Sequence, residues 1–390
     1  MDNSLCLRLA EGKAELMGRI TPGRIATALG KRLAAPPAAV RMAIGPQRRA
    51  RYHDHAPQKS PWRMAIDNLI WAARRGRVND GYFLLGLDAV DAPRPSPLHD
   101  HHALMDIITR QIRHRKVQTL ASLLRDKYLF AFVAQGLSYP SPRNLALLGP
   151  DKVVLLAPRR DIAYDRLAAG MGDIDGFCKP IRGAEGGGCF PLTMRNGALL
   201  AGDCTISAQQ LQSRIGSAHL LQSRIVQHED LSRLYPASIN SLRLITTSMD
   251  GRVSPFQAAL RIGAFGSIVD NWSAGGLEVL VDMAAGCLKG RGLFKPGHVA
   301  GGAAAVSHHP DTGLRFDGFP IPMLPEAVDL ACRFHADLGA LVTIAWDVAF
   351  TPSGPLIIEG NTHWDARVHM ALDPDFEHRY RALLERAEAA

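Results

Sequence analysis

The stretch 343–361, TIAWDVAFTPSGPLIIEGN, carries the densest chemistry in the chain. It reads as a β-hairpin with a three-residue loop, Pro352-Ser353-Gly354, closed by the glycine that such loops prefer at their left-handed position. Pairing symmetric about Ser353 sets Asp347 opposite Glu359. Asn361 then falls on the same face, because strand side chains alternate. Like charges facing each other on a sheet repel, and a cation between them removes that cost. Asp, Glu and Asn offer only oxygen ligands, which suit Mg²⁺ or Mn²⁺ rather than zinc. A surface hairpin with solvated carboxylates fits the same letters, so the hairpin alone does not decide.

A second stretch, GFCKPIRGAEGGGCFPL at 176–192, suits an anion. Lys179 ends a short strand, and Gly183, Gly186, Gly187 and Gly188 let the backbone approach phosphate closely, with successive N–H groups free to form a nest. Neither GxxxxGK[ST] nor GxGxxG is present, which excludes a Walker loop and a dinucleotide fingerprint. A mobile hairpin turn is the plain alternative. Between the two stretches, Arg243 and Arg261 each interrupt an apolar strand. A buried arginine must be paired or face a cleft, and its fork geometry suits phosphate or carboxylate. A salt bridge to Asp270 or Asp282 is the structural alternative. Asp270-Asn271, followed by Gly275-Gly276, reads as a tight substrate-facing loop at a strand end. Neighbouring His308 and His309 point to opposite faces of a strand and do not make a metal pair.

Elements that must position these residues follow from pattern and composition. The chain has 390 residues, 47% of them hydrophobic, which excludes overall disorder. No run reaches the length of a transmembrane helix, and the start has no signal-peptide core. Six scattered cysteines without a CxxC pair read as reduced thiols, so a cytoplasmic protein is expected. Charge is uneven: residues 1–75 hold 14 Lys and Arg against 5 Asp and Glu, while the remainder holds 31 against 32. The basic segment, with Arg48, Arg49 and Arg51 beside Tyr52, His53 and His55, suits an anionic carrier, a membrane surface or nucleic acid; a solvated helical face suits it equally. Helical spacing runs over 103–135, 206–224 and 324–340, and short β-branched runs follow Lys152, giving an α+β chain. The division is read as a helical basic region over 1–95, a linking region over 96–170, and a nucleotide- and metal-binding domain over 171–390.

Taken in order, these motifs resemble the ATP-grasp fold, most closely its sugar-transfer-associated branch, over roughly 116–375. Asp126-Lys127 with Gly136-Leu-Ser-Tyr-Pro-Ser-Pro, Lys179-Pro180 with its glycine loop, Asn240-Ser-Leu-Arg243, Arg261-Ile-Gly263, Asp270-Asn271…Gly275-Gly276, His309-Pro310-Asp-Thr-Gly313, Trp346-Asp347-Val and Glu359-Gly-Asn361 carry it. The resemblance implies two α+β subdomains clasping ATP. Lys127, Lys179 and the glycine loop would hold its phosphates, Arg224-Ile-Val226-Gln227 would form the hinge beside adenine, and Asp347, Glu359 and Asn361 would hold Mg²⁺ or Mn²⁺. The implied reaction joins a carboxylate to an amine through an acylphosphate, with a sugar or surface-polysaccharide precursor as the implied acceptor. Where dipeptide ligases have Glu-Lys at the hinge and Arg before the first metal Asp, this chain has Val226-Gln227 and Ala345-Trp346, which leaves the oxyanion role to Arg243 or Arg261. A small-molecule kinase and a non-catalytic nucleotide- or nucleic-acid-binding protein remain as alternatives.

Overall fold

The computed structural model describes residues 37–45, 52–53, 57–183, 186–296, 298 and 304–389. Arg48, Arg49, Arg51 and His55 of the basic segment lie outside the described residues. Among the described residues, two antiparallel sheets carry the strands. The first holds β1 (Asn144–Leu148), β2 (Val153–Leu156), β3 (Arg159–Ile162), β4 (Ile174–Pro180), β5 (Phe190–Arg195), β6 (Ala198–Ala201), β7 (Cys204–Ile206) and β8 (His219–Ser223). Its order is β3-β2-β1-β8-β4-β5-β6-β7. The division expected at residue 170 falls inside this sheet: β1 pairs with β8, and β8 with β4, so backbone hydrogen bonds join the two sides.

The second sheet holds β9 (Leu242–Met249), β10 (Arg252–Ile262), β11 (Leu277–Asp282), β12 (Cys287–Phe294), β13 (Ala305–Val306), β14 (Thr343–Thr351) and β15 (Gly354–Asn361). Its order is β13-β12-β11-β10-β9-β14-β15. Helix Leu324–Leu338 packs across it, with Phe334 stacked on Trp346 at 5.1 Å between ring centres. The predicted helical run near 103–135 is three helices, His101–His114, Gln118–Arg125 and Lys127–Gly136, whose Leu104, Ile108, Leu124 and Phe130 join the same core. The helix expected over 206–224 is not continuous. It stops at Arg214, and 219–223 is the central strand β8. Gly216, which has low helix propensity, sits between the two.

Helix Lys127–Gly136 ties the two sheets together. Its body packs on the second core, with Phe130 5.8 Å from Phe334, while the Lys127 amide donates to Ile181 O just past β4 at 3.0 Å. Asp126 caps the helix, Oδ1 accepting from the amides of Tyr128 and Leu129 at 3.1 Å. A third cluster, including Ala43, Met64, Tyr82, Leu84, Trp272 and Val368, seats the described N-terminal residues against β12 and helix Arg367–Leu372.

The hairpin of Asp347 and Glu359 forms by a different route from the expected one. Thr351 pairs with Gly354, leaving a two-residue loop, Pro352-Ser353, and the register then shifts between Asp347 and Val348. This bulge adds the residue that the shorter loop removes, so Asp347 still faces Glu359.

At the far end, Glu377 fixes helix Phe376–Ala389 by accepting from Ser96 Oγ at 2.7 Å and Arg381 at 2.7 Å, with His99 Nε2 at 2.8 Å. Burial alone would raise its carboxyl, but His99, Ser96 and Arg381 hold it down at about 2. A depressed carboxyl stabilises above its unfolded value and loses that contribution as pH falls. Glu377→Gln is therefore expected to cost about 2 kcal/mol at neutral pH, read by denaturant unfolding. The deficit should close as pH drops from 4.5 toward 2.

Candidate active site

A cleft of about 1000 Å³ lies between the sheets, and every predicted site residue except Gly188, Gly275 and Gly276 lines it. Strand alternation explains the first wall: Phe177 and Lys179 face the cleft, while Cys178 between them faces the core. Lys179 is only 8% exposed, and burial lowers its pKa. Above it, Gly183 O accepts from Lys127 Nζ at 3.0 Å. Gly186, at φ 73°, sits where a Cβ would be 3.6 Å from Val269, so the glycine loop reaches across to the second sheet's 265–271 loop.

The second wall is a row of charges running across the sheet, with Asp347, Arg261 and Glu278 buried and Arg243 and Glu359 half-buried. Glu359 faces Asp347, Asp347 faces Arg243 on the next strand, and Arg261 faces Glu278 two strands further on. Arg243 Nε lies 2.7 Å from Asp347 Oδ1, and Arg261 Nη1 donates to both Asp347 oxygens at 3.1 Å. Lys127 Nζ lies 3.1 Å from Glu359 Oε2, and Asn361 Nδ2 donates to Glu359 Oε1 at 3.3 Å. Burial pushes Asp347 above the usual carboxylate range despite the two arginines. Burial would do the same to Glu359, but Lys127, Asp347 and Lys179 hold it well below that range.

Asp270 braces this row, with Oδ1 3.4 Å from Arg261 Nη2 and Oδ2 accepting from Ser241 N at 2.9 Å and from Ser241 Oγ. Asn271 Oδ1 accepts from Ser273 N at 2.7 Å and so caps the turn Trp272–Ala274. Gly275 and Gly276 shape that loop rather than line the cleft. Gly275 has φ 95°, and a Cβ on Gly276 would meet Asp270 O at 2.4 Å. Gly188 likewise serves the β4–β5 turn, at φ 74°.

At the hinge, Val226 is exposed, and residues 224–227 line the cleft outside any strand; the Arg224 and His228 amides are spent on Asp175 O at 2.9 Å and Phe350 O at 2.8 Å. The Gln227 side chain is committed elsewhere: Nε2 donates to Tyr235 O and Ser238 O at 3.2 Å each, and Oε1 accepts from Asn240 N. It orders the 232–240 loop. His309 is buried, with Nε2 2.8 Å from Gly263 O, while His308 is exposed beside Ser307, so the two part as expected of strand neighbours.

Several lining residues were not anticipated. Glu278, at 6% exposure, has an Oε2 without a hydrogen-bond partner and a carboxyl that burial pushes up to about 7 against Arg261 and Arg243. Its signal was present in the sequence, an acid inside the apolar strand LEVLVD. Asp365 takes Arg367 in a two-pronged pair at 2.9 and 2.7 Å, and Arg367 also holds Asp80. Asp365 and Arg367 stand two residues apart, but Asp80 reaches them from a distant segment, so local spacing marks only part of the group.

As for a metal, no group of three His, Cys, Asp or Glu among the described residues stands close enough to hold one. Two carboxylates and one amide, all oxygen donors on the end of one hairpin, are what the cleft offers. That set fits a hard divalent cation that keeps most of its ligands for water and phosphate.

Residues 109–384 match the family described as sugar-transfer associated ATP-grasp. No curated protein matches the chain. Among solved structures, D-alanyl-alanine synthetase A from Vibrio cholerae is 11% identical, covering 70% of this chain and 67% of its own, with a TM-score of 0.39. Biotin carboxylase from Campylobacter jejuni is 12% identical, covering 69% and 47%, with a TM-score of 0.41. A RimK domain ATP-grasp protein from Sphaerobacter thermophilus is 15% identical, covering 69% and 68%, with a TM-score of 0.34. Likenesses this distant carry no activity across.

The orphaned carboxylate supplies a test of the electrostatics. Its folded value of about 7 lies above the ordinary 4.5, so ionised Glu278 costs stability increasingly as pH rises through that window. Glu278→Gln should therefore stabilise the ligand-free protein by about 2 kcal/mol at pH 8 and give no gain at pH 4, measured by urea unfolding at both values.

Proposed function

Because the chain belongs to the sugar-transfer-associated ATP-grasp family, we propose that it is an Mg-ATP-dependent ligase joining a carboxylate to an amine. The observation that carries this reading is the cleft itself. Lys127, Lys179, Arg243 and Arg261 converge there on the opposed Asp347 and Glu359, beneath a glycine loop. Four cations with room between them suit a polyphosphate, since phosphoryl transfer is mostly positioning and charge neutralisation.

In this reading the adenine lies against the 224–227 backbone. Lys179 from β4 and Lys127 from the helix start hold the phosphates, and Lys127 exchanges Glu359 for a phosphate oxygen as it does so. Asp347, Glu359 and Asn361 would hold Mg²⁺, which when bound offsets charge on the phosphate oxygens. Arg243 and Arg261 steady the oxygens of the reacting acyl group. The substrate carboxylate attacks the γ-phosphorus, the bond to the β–γ bridging oxygen breaks, and ADP leaves. The amine then attacks the acyl carbon, phosphate departs with the carbon–oxygen bond pair, and the amine's proton is lost to solvent. The glycine loop, lying over the phosphates, keeps water from the acylphosphate first.

Asp270 and Asn271 lie in the loop that the glycine loop reaches and contribute to the acceptor side. A sugar-linked or polysaccharide-precursor acceptor is supported by the family description alone. A cytoplasmic site of action follows from the supply of ATP.

The test is thermal unfolding with and without Mg-ATP on wild type and Glu359→Gln. Ligand at 100 times its dissociation constant should add about 2.7 kcal/mol in wild type, and the magnesium-dependent part should shrink in the variant. ADP release that requires both an acid and an amine then identifies a ligase. A phosphorylated product formed without amine would replace it with a kinase.

A further inference from the structure

A feature remote from the nucleotide chemistry lies on helix Pro61–Arg75. One side of this helix buries Met64, Ala65, Asn68, Trp71 and Ala72. The other side leaves Trp62, Ile66, Leu69 and Ile70 in solvent, with Trp62 74% and Ile70 48% exposed. Their spacing puts them on one stripe of the helix. Ile44, in the helical residues 37–44, is 67% exposed as well, and Ala43 shares a core with Met64 and Ala65. Large aliphatic and indole groups grouped in this way on a folded surface mark a contact site.

Charge identifies the partner. Arg63 and Arg74 are exposed on the same helix beside the stripe, and Arg75 follows. The helix's one acid, Asp67, is already neutralised, with Lys59 Nζ at 2.8 Å and the Tyr82 hydroxyl donating at 2.8 Å. The surrounding segment, 1–75, holds 14 basic residues against 5 acidic. An apolar stripe rimmed by arginine, with tryptophan at one end, has the composition of a helix that lies in a headgroup layer. Among the described residues no helix is long and apolar enough to cross a membrane.

We propose that helix Pro61–Arg75 docks the protein on an anionic lipid surface. Trp62, Ile66, Leu69 and Ile70 enter the headgroup boundary, and Arg63 and Arg74 face acidic headgroups. The inference stands apart from the ligase reading, because vesicle binding is measured without substrates.

The test is co-sedimentation of the full chain with vesicles of phosphatidylcholine alone and of phosphatidylcholine mixed with phosphatidylglycerol. Binding to the mixed vesicles should be at least about five-fold stronger. The combined variant Trp62→Gln, Ile66→Gln, Ile70→Gln should lose about ten-fold while keeping the wild-type unfolding midpoint, since all three side chains are exposed. Arg63→Gln with Arg74→Gln should weaken binding to the mixed vesicles only. Equal binding to both vesicle types, or unchanged binding of the triple variant, overturns the proposal. So does a concentration-dependent dimer that the triple variant abolishes in a wild type that ignores vesicles, because a second copy then covers the stripe.

Discussion

Everything in the cleft depends on how the second sheet tolerates a row of buried and half-buried charges. Asp347 is 3% exposed and sits among Arg243, Arg261 and Glu359, each on a different strand. Desolvating one such group costs several kcal/mol, so the row persists only because each charge has an opposite neighbour. Arg243 and Arg261 neutralise Asp347, Lys127 neutralises Glu359, and Asp270 takes the remaining prong of Arg261. Glu278 is the exception, facing Arg261 in register without a bonded partner for Oε2. Such pairing gives the ligand-free protein a reason to fold with these charged groups already convergent.

The two sheets contribute unequally. The first supplies Lys179 and the glycine loop, and its own core is separate, built around Leu148, Cys178 and Leu221. The second supplies the carboxylates and arginines, and is braced by the large aromatic core around Trp346, Phe334 and Tyr380. Helix Lys127–Gly136 spans them, with its first residue in the cleft and its body in the second core. Lys127 thus touches both halves at once: its ammonium lies against Glu359 of one sheet and Gly183 O above the other.

Much of this arrangement was legible in the residues, and the exceptions have physical causes. Opposition of Asp347 and Glu359 followed from hairpin symmetry, although the loop has two residues and a bulge restores the count. A bulge leaves no local sequence mark, so only its consequence was readable. LQSRI occurs twice. Residues 211–214 of the first copy end a helix, while 221–223 of the second close the central strand β8, whose neighbours β1 and β4 impose extended structure. Local propensity cannot separate identical pentapeptides, and tertiary pairing does. Val226 and Gln227 were read together as a hinge, yet the Gln227 amide is spent on the loop beneath. Asp80 meets the neighbouring Asp365 and Arg367 only through folding. The strands of the first sheet's edge, short and exposed such as Arg159–Ile162, carry little apolar periodicity and were not anticipated.

The central claim is that the charges of the row stabilise one another across strands. A double-mutant cycle on Arg243→Met and Asp347→Asn, measured by denaturant unfolding without nucleotide, addresses it directly. Arg243→Met should destabilise by leaving the buried Asp347 carboxylate to Arg261 alone, while Asp347→Asn removes a carboxylate that burial disfavours together with its pairing to both arginines. The double variant should cost less than their sum by about 1.5 kcal/mol or more. Effects that add to within about 0.5 kcal/mol would show that Arg243 and Asp347 are held by the fold independently, and would contradict the account.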